Sequence, residues 1–167
     1  MKDPIIPERM APVTDKEFVI FLIGMRFNRL MQFKKWWFTA RAMPRMIKEL
    51  EADKSLGMMH AYGARSGRVA FVVQYWESFE KLTAYASNPD LEHKPAWNKF
   101  YKLVGLNGDV GIWHETYVVK PGHSEAIYGN MPKFGLGQCF PLEKATGRYG
   151  DAISRVAASG GEAQAAE

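Results

Sequence analysis

Residues 57–76 read GMMHAYGARSGRVAFVVQYW. Two strand-like runs, 57–65 and 68–76, flank Ser66-Gly67, a dipeptide suited to a tight hairpin turn. No other hairpin signal in the chain is as clear. In the second run both alternate sets of side chains are apolar or aromatic. Val69, Phe71, Val73 and Tyr75 share one face; Ala70, Val72 and Trp76 share the other. Neither face suits water, so the hairpin belongs to a sheet covered on both sides.

Upstream, residues 17–26 are dense in Phe, Val, Ile and Leu, as in a strand buried on both faces. The stretch 28–37 is amphipathic with helical spacing, and 45–52 resumes that spacing with Met46, Ile47 and Leu50. Pro44 interrupts them, and the residue before a proline is biased away from helix. The expectation is a long broken helix, or two helices with a corner at Pro44. Downstream, Ser78 stands at an N-cap position ahead of Phe79, Leu82 and Tyr85 on one helical face. Asn88-Pro89-Asp90 marks a break, 95–104 a second helix, Asn107-Gly108-Asp109 a turn, and 110–119 a last strand. The order β-α-β-β-α-β predicts an α+β, ferredoxin-like domain of four antiparallel strands with both helices on one face. The simplest cover for the other face is the sheet of a second copy. The fold expected is therefore a dimeric α/β barrel, a homodimer whose interior forms a pocket for an apolar small molecule.

The flanks read differently. Residues 1–16 hold three prolines and read as an extended N-terminal arm. The core domain is placed at 17–137 and a C-terminal extension at 138–167. Residues 124–128 have the character of a short extra strand. The loop 129–138 is rich in Gly and Pro yet carries Met131, Phe134 and Leu136, which suits a lid or an arm onto the partner. From about Arg155 the chain is mostly Ala, Gly, Glu and Gln and reads as a disordered tail.

The chain has 167 residues, 47% of them hydrophobic, enough for one core. The net charge of +4 is carried by Lys and Arg spread along the sequence, which gives no indication of a nucleic-acid partner. The single Cys139 excludes an intrachain disulfide and reads as a spectator thiol, which fits a reducing cytoplasm. No apolar run approaches the ~20 residues of a membrane span, and residues 1–9 lack a signal-like region. A soluble cytoplasmic protein without membrane partners is expected. There is no phosphate-binding glycine loop, no nucleophile elbow, no Cys-x-x-Cys and no paired histidines at helical metal-ligand spacing. No metal site and no nucleotide cofactor are expected.

Polar groups that a buried strand rarely carries concentrate in Val110-Gly-Ile-Trp-His-Glu-Thr-Tyr-Val-Val119. Alternation puts Ile112, His114 and Thr116 on one face, and Trp113, Glu115 and Tyr117 on the other. One of these faces lines a pocket, or both simply pair with neighbours; periodicity does not choose. If it lines the pocket, His114 is a base, a donor or an axial metal ligand. Arg26 and Asn28, at the end of the first strand, suit the pocket mouth, where an arginine fork and an amide fix an oxyanion. The alternative is a helix cap with a solvated arginine. His60, Tyr62 and Tyr75 are cavity-lining candidates, although packing with a satisfied polar tip explains them more readily, and Trp76 is a candidate polar group of the pocket. His93 and His123 read as capping or surface residues.

Several strings carry a resemblance. They are Gly24-Met-Arg-Phe-Asn-Arg-Leu30, Met43-Pro-Arg-Met46 with Glu49-Leu50, Gln74-Tyr-Trp-Glu-Ser-Phe79, His93 with Pro95-Ala-Trp97, Gly111-Ile-Trp-His-Glu-Thr-Tyr117 and Tyr128-Gly-Asn-Met-Pro132. Over about residues 17–137 the chain resembles a monooxygenase-like family named after a fumagillin-cluster enzyme. That family lies within the dimeric α/β-barrel (antibiotic biosynthesis monooxygenase-like) superfamily. The resemblance implies the fold above and an oxidoreductase acting on an apolar small molecule. The superfamily includes cofactor-independent monooxygenases, haem-degrading enzymes and haem-dependent dehydratases. Three readings follow: a monooxygenase-like enzyme needing no cofactor, with Arg26, Asn28, Trp76 and His114 in its pocket; a haem protein with His114 as axial ligand; and a non-enzymatic binding module.

Overall fold

The computed structural model describes residues 4–160. The described residues divide into two compact units, 19–117 and a second formed by 4–18 with 118–160.

In the first unit the strands are β2 (Phe18–Phe27), β3 (Met58–Ser66), β4 (Val69–Trp76) and β5 (Val110–Val119). The helices are α1 (Phe33–Ala52), α2 (Phe79–Ser87) and α3 (His93–Leu103). The sheet order is β3-β4-β2-β5, the ferredoxin-like α+β arrangement expected. β4 is antiparallel to both neighbours, with Val19 opposite Trp76 and Ile23 opposite Val72 in one ladder, and Gly63 opposite Val72 in the other. The hairpin turns at Gly67, whose φ of 53° lies in the left-handed region that favours glycine. The Ser78 hydroxyl accepts from the Lys81 amide (3.3 Å) and caps α2, as its position predicts.

One face of the sheet packs against the helices. Val19, Met58 and Trp76 meet Leu50 of α1 and Leu82 and Tyr85 of α2, all at most 5% exposed. By alternation Phe21, Ile23, Met25, Ala70, Val72 and Gln74 share this face. The opposite face carries Ile20, Leu22, Gly24, Phe71, Val73 and Tyr75; of these Val73 and Tyr75 are already buried in the single chain.

The broken helix at Pro44 is a correction: α1 runs through the proline without interruption. Ala42, Met46 and Leu50 carry the buried stripe across it, while Pro44 is exposed, so packing outweighs one lost backbone bond. The helix also begins later than its pattern suggests. Residues 28–32 turn instead, held by the Arg29 amide on the Asp109 carbonyl (3.1 Å) and by the Trp36 indole donating to Leu30 O (3.1 Å).

In the second unit, β1 (Ile6–Pro12) is the central strand between β6 (Tyr128–Met131) and β7 (Leu142–Lys144). The N-terminal arm is thus extended but paired. The extra strand begins at Tyr128 rather than at 124, and its half of the 129–138 loop is held antiparallel to β1, Ile6 opposite Met131. A short helix α4 (Leu136–Cys139) follows. The chain beyond Arg155 is not shapeless: α5 (Ala152–Ser159) is capped by Asp151, which accepts from the Ser154 amide (2.9 Å). Arg155 is buried, pairs with Glu125 and donates to Tyr149 O (3.0 Å). Composition conceals this because the partner lies 30 residues away. The rest of the expected tail, 161–167, lies outside the described residues.

Candidate functional site

A cleft of about 880 Å³ opens between the helix-facing side of the sheet and helices α1 and α3. Its floor is Ile23, Met25, Gly63, Ala70, Val72 and Ile112. Its walls are Thr39, Ala40, Ala42, Met43, Pro44 and Met46 of α1 and Ala96, Trp97, Phe100 and Tyr101 of α3, with Leu106 after α3. The space exists because small residues meet there: Gly63 and Ala70 in the floor, Ala40, Ala42 and Ala96 in the walls. A close-packed layer would need large side chains at some of these positions. The lining is overwhelmingly apolar, with a few polar groups, the usual character of a small-molecule site. The sequence reading puts the pocket on the face left for a partner. The cleft lies on the other face, under the helices.

His114 borders the cleft. Its ring lies 5.7 Å from that of Phe21, on the helix side, and it has no hydrogen-bond partner among the described residues. The question left open by alternation is thereby answered for this strand: Ile112 and His114 face the helices. Trp113 also borders the cleft, yet its indole packs on Phe71 across the opposite face (5.9 Å between rings). Glu115 and Tyr117 pair with each other there, the phenol donating to Glu115 Oε2 (2.6 Å), which raises the Tyr117 pKa.

Arg26 and Asn28 are hydrogen-bonded to each other and do not border the cleft, although their neighbours Met25 and Phe27 do. Trp76 is fully buried in the far core, its indole donating to Gln74 Oε1 (2.9 Å). His60, Tyr62 and Tyr75 form a ring cluster on the opposite face, with centroids 6.4–6.5 Å apart. Desolvation lowers the His60 pKa. Met131 and Phe134 belong to the second unit. The structure thus brings only His114 and Trp113 of the candidates to the cleft.

His93, read from the sequence as a capping or surface residue, is the histidine whose place at the cleft that reading misses. It does start a helix, as expected, but it also borders the cleft. Its Nδ1 lies 2.9 Å from the Ala86 carbonyl, and its ring stacks on Trp97 one turn later (6.4 Å, 14°). A backbone carbonyl only accepts, so Nδ1–H donates to it and the neutral ring carries its lone pair on Nε2. The signal was the His93…Trp97 spacing at i, i+4, which places both rings on one helix face.

Other chemistry is poorly supplied. Among the described residues no three His, Cys, Asp or Glu side chains group as metal ligands. Burial pushes the Cys139 thiol up to about 12, which keeps it un-ionised at neutral pH. No helix among the described residues is long and apolar enough to cross a membrane.

A model of the monooxygenase af470-like family matches residues 18–136. No curated protein matches the chain. Among solved structures it is similar to an aldoxime dehydratase (18% identity, TM-score 0.63), covering 84% of this chain and 43% of that one. A second, aldoxime dehydratase OxdRE in complex with butyraldoxime, gives 14% identity and TM-score 0.58 over 93% of this chain and 42% of that one. SnoaB, a cofactor-independent oxygenase from Streptomyces nogalater, is 12% identical with a TM-score of 0.41, over 60% of this chain and 90% of that one. The chain spans less than half the length of the two dehydratases. At such identities the likeness to the dehydratases is one of fold.

Proposed function

The chain belongs to the monooxygenase af470-like family, and from that premise we propose that it oxidises an apolar small molecule with molecular oxygen in the helix-side cleft. The observation that carries this reading is the cleft itself, about 880 Å³ of apolar lining bordered by two imidazoles. The substrate is one whose carbanion or phenolate is itself a reductant. A base removes a proton, and the anion passes electrons to oxygen. One oxygen atom stays on the substrate and the other leaves as water, so that a CH2 group becomes C=O and the four electrons balance. The protein need only take the proton, hold the anion and exclude bulk water. His93 offers Nε2 as acceptor, oriented by its bond to Ala86 O. His114 offers the second imidazole. Arg26 and Asn28 remain candidates for holding the anion only if a bound ligand draws them apart.

The test is oxygen uptake and product mass with a panel of hydroxylated aromatic and quinol-type compounds, with butyraldoxime included as a dehydration substrate. The expected result is oxygenated product from the former, lowered by at least about a hundredfold in His93→Ala or His114→Ala. Ligand recovered unchanged after aerobic incubation would leave a binding module instead.

A haem is the second reading, favoured by the same pair of imidazoles. His93, whose Nδ1 faces a backbone carbonyl, has the arrangement common to metal-ligating histidines, and His114 is the alternative ligand. A haem would supply redox or Lewis-acid chemistry at its iron. A Soret band in the purified protein, lost in one of the two alanine variants, would replace the cofactor-independent reading.

The sheet face opposite the helices supports a homodimer. Ile20, Leu22, Phe71 and Trp113 are only half-buried there. A typical interface buries about 800 Å² per partner. Light scattering at low micromolar concentration is expected to give twice the chain mass; a stable monomer would remove the barrel.

A further inference from the structure

The first turns of α1 and the end of α3 expose an unusual set of side chains. Met31 is 94% exposed, and Leu30, Phe33 and Trp37 are exposed beside it. Phe33 contacts the rings of both Trp36 and Trp37 (4.7 and 5.7 Å between centroids), so these residues form one aromatic surface. On α3 and after it, Trp97, Tyr101 and Leu103 are exposed, and Leu106 is 88% exposed. Lys99 lies over the Phe38 ring (5.3 Å), which joins the two helices at this surface. Isolated exposed apolar residues are ordinary, but two exposed aromatic clusters on adjoining helices mark an interaction surface.

The charges around it are mostly basic, with Asp109 and Glu92 among them. Residues 18–48 contain seven basic and no acidic side chains, and 93–107 contain three lysines and no acid. Arg29 and Lys35 are taken up by Asp109, and Arg45 by Glu92. Lys34, Arg41, Lys99 and Lys102 have no carboxylate partner among the described residues, and Arg41 sits over the Trp37 ring (5.9 Å). These cations are dispersed along the chain, which is why composition shows no basic block; the helices gather them.

We propose that this surface docks the protein on an anionic lipid bilayer. Met31, Phe33, Trp37 and Leu106 enter the headgroup–acyl boundary, while Lys34, Arg41, Lys99 and Lys102 face lipid phosphates and carboxylates. Trp, Phe and Leu beside Lys and Arg is the composition of interfacial helices, in which apolar burial and charge attraction add. Trp97, Tyr101 and Leu106 also border the cleft, so docking sets the cleft beside the phase where an apolar substrate partitions. That last clause alone rests on the function proposed above.

Co-sedimentation of the full chain with phosphatidylcholine vesicles, with and without phosphatidylserine, is the test. The expected result is binding to the anionic vesicles, weak binding to the neutral ones, and release as salt is raised. The double variant Met31→Asp/Leu106→Asp changes two solvent-exposed residues, and an unaltered melting curve checks its fold. It is expected to weaken vesicle binding at least about tenfold. Failure to bind anionic vesicles overturns the proposal. So does equal binding by the double variant, a change in its oligomeric state by light scattering, or displacement from vesicles by a single-stranded oligonucleotide. Oxidation of a water-soluble substrate is measured in parallel without vesicles. Its persistence beside absent vesicle binding would remove the docking alone.

Discussion

The two ends of the helix–sheet layer are built to opposite specifications. At one end Val19, Leu50, Met58, Trp76, Leu82 and Tyr85 interlock with almost no exposure. At the other, the same helix α1 and the same strands leave a cleft of about 880 Å³. Strand pairing is continuous between the two ends, with β2 and β4 in register from Val19–Trp76 to Arg26–Val69. What differs is side-chain size. The closed end packs Trp, Tyr, Leu and Met without interruption; at the open end Gly63, Ala70, Ala40, Ala42 and Ala96 stand between large residues such as Met25, Phe100 and Trp97. A cavity in this fold is therefore obtained by omission, and the closed end supplies the rigidity that lets the omission persist.

The largest predicted effect tests that division. Trp76→Ala should cost about 3–5 kcal/mol, the range for removing a buried aromatic from a packed core. It also leaves Gln74 Oε1 without its indole donor in a buried site. Urea unfolding measures the loss. A value below about 1 kcal/mol would mean that this end repacks freely and that the two ends do not differ as described.

Gly24 is next. A Cβ there would lie 2.6 Å from Phe71 Cβ and 2.8 Å from both Ala70 O and Trp113 Nε1. The methyl would force Trp113 and Phe71 away from the sheet, so Gly24→Ala should cost about 1–3 kcal/mol. The glycine lets the Trp113 indole nitrogen come close to this strand on the face opposite the helices, which a thermal melt of the variant will test. An unchanged melting temperature would show that the two rings shift without penalty.

The anchors at the two ends also differ. Glu49 at the closed end accepts from the Tyr85 hydroxyl (2.8 Å) and the Glu92 amide (3.1 Å). At the open end the entry to α1 is pinned by Asp109, which accepts from Lys35 Nζ (2.5 Å) and Arg29 Nη1 (3.1 Å). The Lys35 hydrogen bond, against burial, holds the Asp109 carboxyl below its ordinary value of 3.8. A depressed pKa means that this stabilisation is complete above the unfolded-state value and is lost as pH falls through the folded-state one. The melting temperature should therefore drop below about pH 4, and Asp109→Asn should lower it at pH 7 while flattening the acid limb. An equally steep acid limb in the variant would assign the acid loss to other carboxylates.

Much of the fold was legible in the sequence. The Ser66-Gly67 turn, the doubly apolar Val69–Trp76 run and the Ser78 cap fix three elements by local chemistry, and the element order does the rest. The side of the sheet that bears the cleft was not legible. Alternation separates His114 from Trp113 but says nothing about which set meets a helix, and in Val69–Trp76 both faces are apolar. Pro44 misled because a local bias was weighed without the stripe of Ala42, Met46 and Leu50 on the far side of the helix. His93 was read as a capping residue because its cleft contact depends on how α3 crosses the sheet. Arg155 was read as tail because its partner Glu125 is distant in sequence.

The smallest expected effect on stability is also the sharpest test of the cleft. Gly63 stands opposite Val72, on the helix-facing side of β3. A Cβ built there meets only Phe71 O, at 4.0 Å, so a side chain has room. Its φ does not lie in the left-handed region, so no backbone strain accompanies substitution. Gly63→Leu should consequently change unfolding free energy by no more than about 0.5 kcal/mol. The isobutyl group should instead occupy part of the cleft, and binding of an apolar fluorescent probe should weaken at least about tenfold. Read together, the two numbers separate the possibilities. Unchanged probe affinity would show that apolar ligands bind elsewhere on the protein. A large loss of stability would show that the helices close onto Gly63 in solution, and that the open end of the layer is as tightly packed as the end that holds Trp76.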